Sequence, residues 1–78
     1  MNSNQILKEG TKVMWKGCFG MFEAKPVTIT HIERSEYKRC KYGKPVDEIP
    51  FADREYGIFY LNNEHWCYGE QIISIVNE

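Results

Sequence analysis

His65 and Cys67 stand two residues apart in an aromatic run, so on a strand both side chains leave the same face. Cys18, Cys40 and His31 complete the chain's nitrogen and sulfur ligands. The chemistry they offer is zinc coordination. A zinc ion takes four such ligands in a tetrahedron, and structural sites usually draw two of them from a tight Cys-x-x-Cys knuckle. The chain has no such knuckle, so no metal site is expected. Its three cysteines cannot all pair within one chain and are too sparse for a disulfide-stapled domain. Each reads as a reduced thiol that packs like a small hydrophobe.

Catalytic patterns are equally thin. Gly17-x-x-Gly20 lacks the further glycine and the lysine of a phosphate-binding loop. No Ser-His-Asp order with a nucleophile-elbow motif is present. The acidic residues are plentiful, but no pair stands apart from turn and surface roles. The expectation is a protein that is not an enzyme and holds no cofactor.

Aromatic residues are the better signal. Trp15, Tyr37, Tyr42, Phe51, Tyr56, Phe59, Tyr60, Trp66 and Tyr68 exceed what a small five-stranded core buries. Exposed tyrosine and tryptophan mark recognition patches, because they offer large contact area at low entropic cost. The alternative is a satellite cluster packed over a long loop. The candidate binding residues are Tyr37, Arg39, Tyr42, Tyr60, Trp66 and Tyr68.

Charge is segregated in the middle of the chain. Arg34, Lys38, Arg39, Lys41 and Lys44 are half of the ten basic residues, and Asp47, Glu48, Asp53 and Glu55 follow closely. Either the two groups pair across a hairpin and cancel, or the basic group binds nucleic acid with Tyr37 and Tyr42 stacking on bases. A net charge of −1 argues against strong general attraction to nucleic acid or anionic membrane.

The elements that must position these residues are short. Seventy-eight residues allow one domain, 1–78, and 42% apolar content is that of a globular chain. No stretch approaches a membrane span, and Met1 to Gln5 lack a secretion signal, so a cytoplasmic location is expected. Residues 1–5 read as a frayed terminus. Gly10 suits a turn before a first strand over 11–16, with Val13 and Trp15 on one face. The Gly17–Gly20 loop is expected to fold back and tuck Phe19 or Met21 against the body. A second strand runs from Val27 to about Ser35, with a bulge or sharp bend near His31 that returns Ile32 to the core; the competing reading is a partly buried His31 with a hydrogen-bond partner. Residues 36–54 read as a long central loop, unless the second strand continues to Cys40 or a short hairpin forms at Gly43-Lys44-Pro45. As a loop, residues 38–48 should be replaceable by a short linker.

Gly57 to Leu61 and His65 to Tyr68 flank Asn62-Asn63-Glu64 and read as a hairpin. Residues 68–72 read as one 3₁₀ turn before a last strand. The expected core is Val13, Val27, Ile29, Ile58, Leu61, Ile72 and Ile75.

This order of parts resembles the SH3-like small barrels, a group that includes KOW and Tudor-type modules. The residues that carry the resemblance are Leu7-x-x-Gly10-x-x-Val13, the glycine loop leading to Val27-x-Ile29, the Tyr60-to-Trp66 hairpin, and the turn at Gly69 to Ile72. The resemblance implies an all-β fold, a small five-stranded SH3-like barrel with a long central loop. It includes protein binders, RNA binders and structural parts, so it implies little about function. The leading expectation is a non-catalytic module holding a protein segment between Trp66, Tyr68, Tyr60 and the 36–54 segment. The alternatives are nucleic-acid binding through residues 34–44 and a homo-oligomeric structural role.

Overall fold

The computed structural model describes residues 5–17 and 21–76. Strands take 49% and helical turns 14% of the described residues, which form a small sheet-rich domain. The strands are β1 (Ile6–Lys8), β2 (Lys12–Trp15), β3 (Lys25–Arg34), β4 (Lys44–Pro45), β5 (Glu48–Pro50), β6 (Gly57–Leu61), β7 (Trp66–Tyr68) and β8 (Ile72–Ile75). One hydrogen-bonded path runs β7-β6-β3-β2-β8, with β4 paired to the far end of β3, and β1 and β5 form a separate antiparallel pair. Among the described residues these ladders do not close into a ring.

Strand β3 organises the sheet. Its first half pairs with β2, Val27 opposite Val13, and its second half pairs with β6, Ile32 opposite Phe59. The register shifts between Ile29 and His31, at the expected bulge. One extra residue there moves the inward position from an even to an odd spacing. Ile29 and Ile32 are therefore both fully buried, and His31 is left half-buried.

Of the expected core, Val13, Val27, Ile29, Ile58, Leu61 and Ile72 are buried. Ile75 is only partly buried, packed at the core's margin. Ile58 lies outside the main core cluster: it sits opposite Tyr68 in the β6–β7 ladder, on the face away from Phe59. Strand β6 is central, between β3 and β7, and buries Phe59 and Leu61 on one face and Ile58 on the other, while Tyr60 is exposed.

The central segment departs from expectation. Residues 36–54 are not a structureless loop, since they contain β4, β5 and the start of a 3₁₀ segment, Phe51–Tyr56. The second strand stops at Arg34. Lys44 and Pro45 fold back on Arg34 and Glu33, and Ile49 pairs with Leu7, both completely buried. A linker in place of 38–48 would delete β4 and the first residue of β5, so that segment is not the dispensable connection expected.

The terminus is also more ordered than expected at its last residue, because the Gln5 carbonyl accepts from the Phe51 N–H at 2.9 Å. Residues 1–4, Cys18 and Phe19 lie outside the described residues. Met21 is 82% exposed and does not tuck against the body.

Arg54 ties the 3₁₀ segment to β8. Its Nε donates to the Ile72 carbonyl at 3.1 Å and its Nη1 to the Phe51 carbonyl at 3.2 Å. Gly69 approaches the Arg54 carbonyl so closely that a Cβ there would stand 1.6 Å from the oxygen. The 3₁₀ turn that this glycine begins, Gly69–Gln71, is the one the sequence suggests.

Candidate binding site

The site starts from the hairpin turn. Asn63 Oδ1 accepts from the His65 N–H at 3.1 Å, a local side-chain bond typical of asparagine in turns. Asn62 reaches the neighbouring strand. Its N–H donates to the Thr28 carbonyl at 2.9 Å, and its Oδ1 accepts from the Thr28 N–H at 3.2 Å. Glu64 adopts the left-handed region at φ +70°, and the Leu61 N–H closes the turn on the His65 carbonyl at 2.9 Å. The turn is thus fixed to β3 as well as to itself, and it delivers His65, Trp66 and Tyr68 in a defined order.

A second clasp sets β2 against this hairpin. The Gln71 Nε2 donates to the Lys16 carbonyl at 3.1 Å, its Oε1 accepts from the Tyr68 N–H at 3.4 Å, and its carbonyl accepts from the Lys16 N–H at 3.0 Å. One glutamine therefore holds the end of β2 to the end of β7. Trp15 on β2 then meets His65 ring to ring, with centroids 5.7 Å apart.

The result is a groove of about 250 Å³ lined chiefly by Trp15, Phe22, Lys25, His65, Trp66 and Tyr68. Trp66 is 45% exposed and meets Tyr68 edge-on at 5.3 Å. Phe22 is exposed, and its N–H donates to the Gly17 carbonyl at 3.3 Å. A Cβ at Gly17 would come within 2.9 Å of Trp15 Cη2, so glycine leaves room for the indole. Lys25 faces Trp15 in the β2–β3 ladder and places its ammonium 5.4 Å from the ring centre. Trp15 itself is buried, and its Nε1–H has no acceptor among the described residues.

The six candidate residues do not form one surface. Trp66 and Tyr68 line this groove. Tyr60, Trp66's neighbour across the ladder, lies beside it and packs against His31 at 5.3 Å. Tyr37 and Tyr42, both strongly exposed, line a different cleft of about 640 Å³ between the end of β3 and residues 35–44. Arg39 lines neither cleft and makes a 2.8 Å ion pair with Glu70. The single groove expected from Trp66, Tyr68, Tyr60 and the central segment is therefore two separate depressions.

Trp15, Phe22, Lys25 and His65 were missed as site residues. Trp15 shares a face with Val13 and is buried, so it is one of the aromatics named from the sequence that the core does hold. The signal that could have drawn attention to Phe22 is its place just after the Gly17-x-x-Gly20 run in the sequence.

Three of the five residues of the basic run, Arg34, Lys38 and Arg39, make ion pairs, none of them with Asp47 or Glu48. Arg34 pairs with Asp53 at 3.3 Å and Lys38 with Glu55 at 3.0 Å, both in the 3₁₀ segment. The hydrogen bond to Glu55, together with its charge, holds the Lys38 ammonium above its ordinary pKa. Lys41 lies over the Tyr42 ring at 5.8 Å.

Cys67 is buried, and burial pushes its thiol up to about 12, so it stays protonated at neutral pH. Cys40 is partly exposed, with its thiol toward the Tyr42 carbonyl. Among the described residues no three of His, Cys, Asp or Glu converge as metal ligands, and no helix is long and apolar enough to cross a membrane. Comparison with known proteins finds no matching family model and no significant match among curated proteins or solved structures.

Proposed function

We propose that this protein is a non-catalytic binding module, built as a small SH3-like barrel, that holds a protein segment in the groove between Trp15, Phe22, Trp66 and Tyr68. The observation that carries the reading is the gathering of four rings, Phe22 and Trp66 exposed, Tyr68 partly exposed and Trp15 buried beneath them, around one concave surface on a braced hairpin. Rings held this way contribute contact area without ordering long side chains on binding. The barrel reading is supported by the path of the main sheet, in which β8 returns through a 3₁₀ turn to pair with β2. The ion pairs of Arg34, Lys38 and Arg39 weigh against nucleic-acid binding through residues 34–44, because those charges already have partners.

The test is affinity capture from the source cell with wild-type protein, Trp66→Ala and Tyr42→Ala. The expected result is one set of captured proteins retained by Tyr42→Ala and lost by Trp66→Ala. Capture that survives Trp66→Ala and fails with Tyr42→Ala moves the site to the 35–44 cleft. A steep fall in affinity between about 50 and 200 mM salt would instead indicate phosphate contacts. Light scattering of the purified chain checks the third possibility, that the aromatic surface binds a second copy.

A further inference from the structure

The groove's chemistry is lopsided. Among the described residues its lining carries rings and hydrogen-bond donors but no carboxylate. Lys25 makes no ion pair among the described residues, and its ammonium rests only on the Trp15 ring. Trp15 is 6% exposed, and its indole N–H has no acceptor there. The side-chain amide of Gln71, which also lines the groove, has both ends engaged by backbone. Glu23 lies in the chain between Phe22 and Lys25 but does not line the groove, and Glu70 is held by Arg39.

Lys25 is exposed and its ammonium hydrated, and the Trp15 N–H is buried out of an occupant's reach, so what distinguishes the groove is one positive charge beside apolar rings with no carboxylate in the lining to balance it. An occupant bearing a negative charge is therefore the complementary one. A cationic occupant would meet Lys25 with no carboxylate to offset it. A nucleic-acid strand needs several phosphate-binding cations in a row, and this groove has one lysine while the basic run at 34–39 is already paired.

We infer that the occupant is an acidic protein segment, with an Asp or Glu carboxylate meeting Lys25 and an adjacent apolar residue packed between Phe22, Trp66 and Tyr68. The inference rests on the reading of this groove as a protein-binding site. The carboxylate sets which segments are accepted, and the rings supply the contact area.

The experiment pans a phage-displayed random decapeptide library against the wild-type protein, Lys25→Glu and Trp66→Ala, each first checked for a wild-type circular-dichroism spectrum. Wild-type protein should enrich peptides with Asp or Glu beside an apolar residue, and Trp66→Ala should enrich none of them. For a synthetic peptide of the enriched sequence, Lys25→Glu should raise Kd about tenfold or more, and a peptide with lysine in place of the acid should recover binding to that variant. Binding should also change the tryptophan emission of the wild-type protein. If peptides enrich through Trp66 without an acidic preference, or Lys25→Glu selects the same sequences, the acidic occupant is wrong and the groove reading stands. If the wild-type protein enriches nothing, or Trp66→Ala enriches the same peptides, both fall.

Discussion

Ile49→Ala probes whether the middle of this chain belongs to the core. Ile49 lies in a segment whose sequence reads as loop, yet it is fully buried and faces the equally buried Leu7 across the β1–β5 pair. Truncation removes three carbon atoms, worth about 0.8 kcal/mol each in transfer alone. The cavity left behind brings the usual cost of such a change to about 2–5 kcal/mol. At roughly 0.05–0.15 kcal/mol per residue, a chain of this length has a total stability of about 4–12 kcal/mol, so the loss is a large share. Each kcal/mol lowers the Tm of so small a domain by roughly 4–8 °C, so a fall of about 10 °C or more is expected. Urea unfolding followed by tryptophan fluorescence measures the effect, with the midpoint moving and the slope unchanged. Ile6→Ala is the control. Ile6 is the neighbour of Leu7 but 37% exposed, and its truncation should cost less than about 1 kcal/mol. An Ile49→Ala loss below about 0.5 kcal/mol, or no larger than that of Ile6→Ala, would refute the assignment of β5 to the core.

Gly69→Ala should destabilise by about 1–3 kcal/mol or more, because the added Cβ collides with backbone at Arg54 rather than with a flexible side-chain end; an unchanged melting curve would show that the 3₁₀ turn can move freely. Replacing residues 38–48 with a short Gly/Ser linker should lower Tm by about 10 °C or abolish the cooperative transition, since it removes β4 and cuts into β5; a Tm close to wild type would sink the role given to those strands. Cys67 predicts a pH effect of definite sign. Its folded pKa is raised to about 12, so as pH climbs past the ordinary value of 9.0 the unfolded chain gives up a proton that the folded chain keeps. Stability should therefore fall by up to about 1.4 kcal/mol per pH unit from this group between the two values. Cys67→Ala should flatten that part of the pH–stability profile, and parallel profiles for the two proteins would contradict it.

Much of the fold is legible in the residues because it rests on near neighbours. Asn62-Asn63-Glu64 between two aromatic runs specifies the β6–β7 hairpin through local turn chemistry. Gly69 marks the 3₁₀ turn, and the spacing of Ile29 and Ile32 forces a bulge once both must face inward. The facing of β2, Val13 and Trp15 inward, follows from simple alternation.

The tertiary structure alone decides what depends on distant partners. Strands of two or three residues, such as β1, β4 and β5, are too short to carry a period, and the prolines within β4 and β5 disguise them further. Ile49 becomes core only because Leu7, far away in the chain, pairs with it. The basic run chooses Asp53, Glu55 and Glu70 over the nearer Asp47 and Glu48 because the 35–43 connection folds toward the 3₁₀ segments. The groove follows the same rule. Trp66 and Tyr68 announce themselves by type and alternation, but Trp15, Phe22 and Lys25 join them only when Gln71 clasps β2 to β7. Alternation tells a side chain which face of its strand it leaves. Which other strand it then meets is set by the register of the assembled sheet.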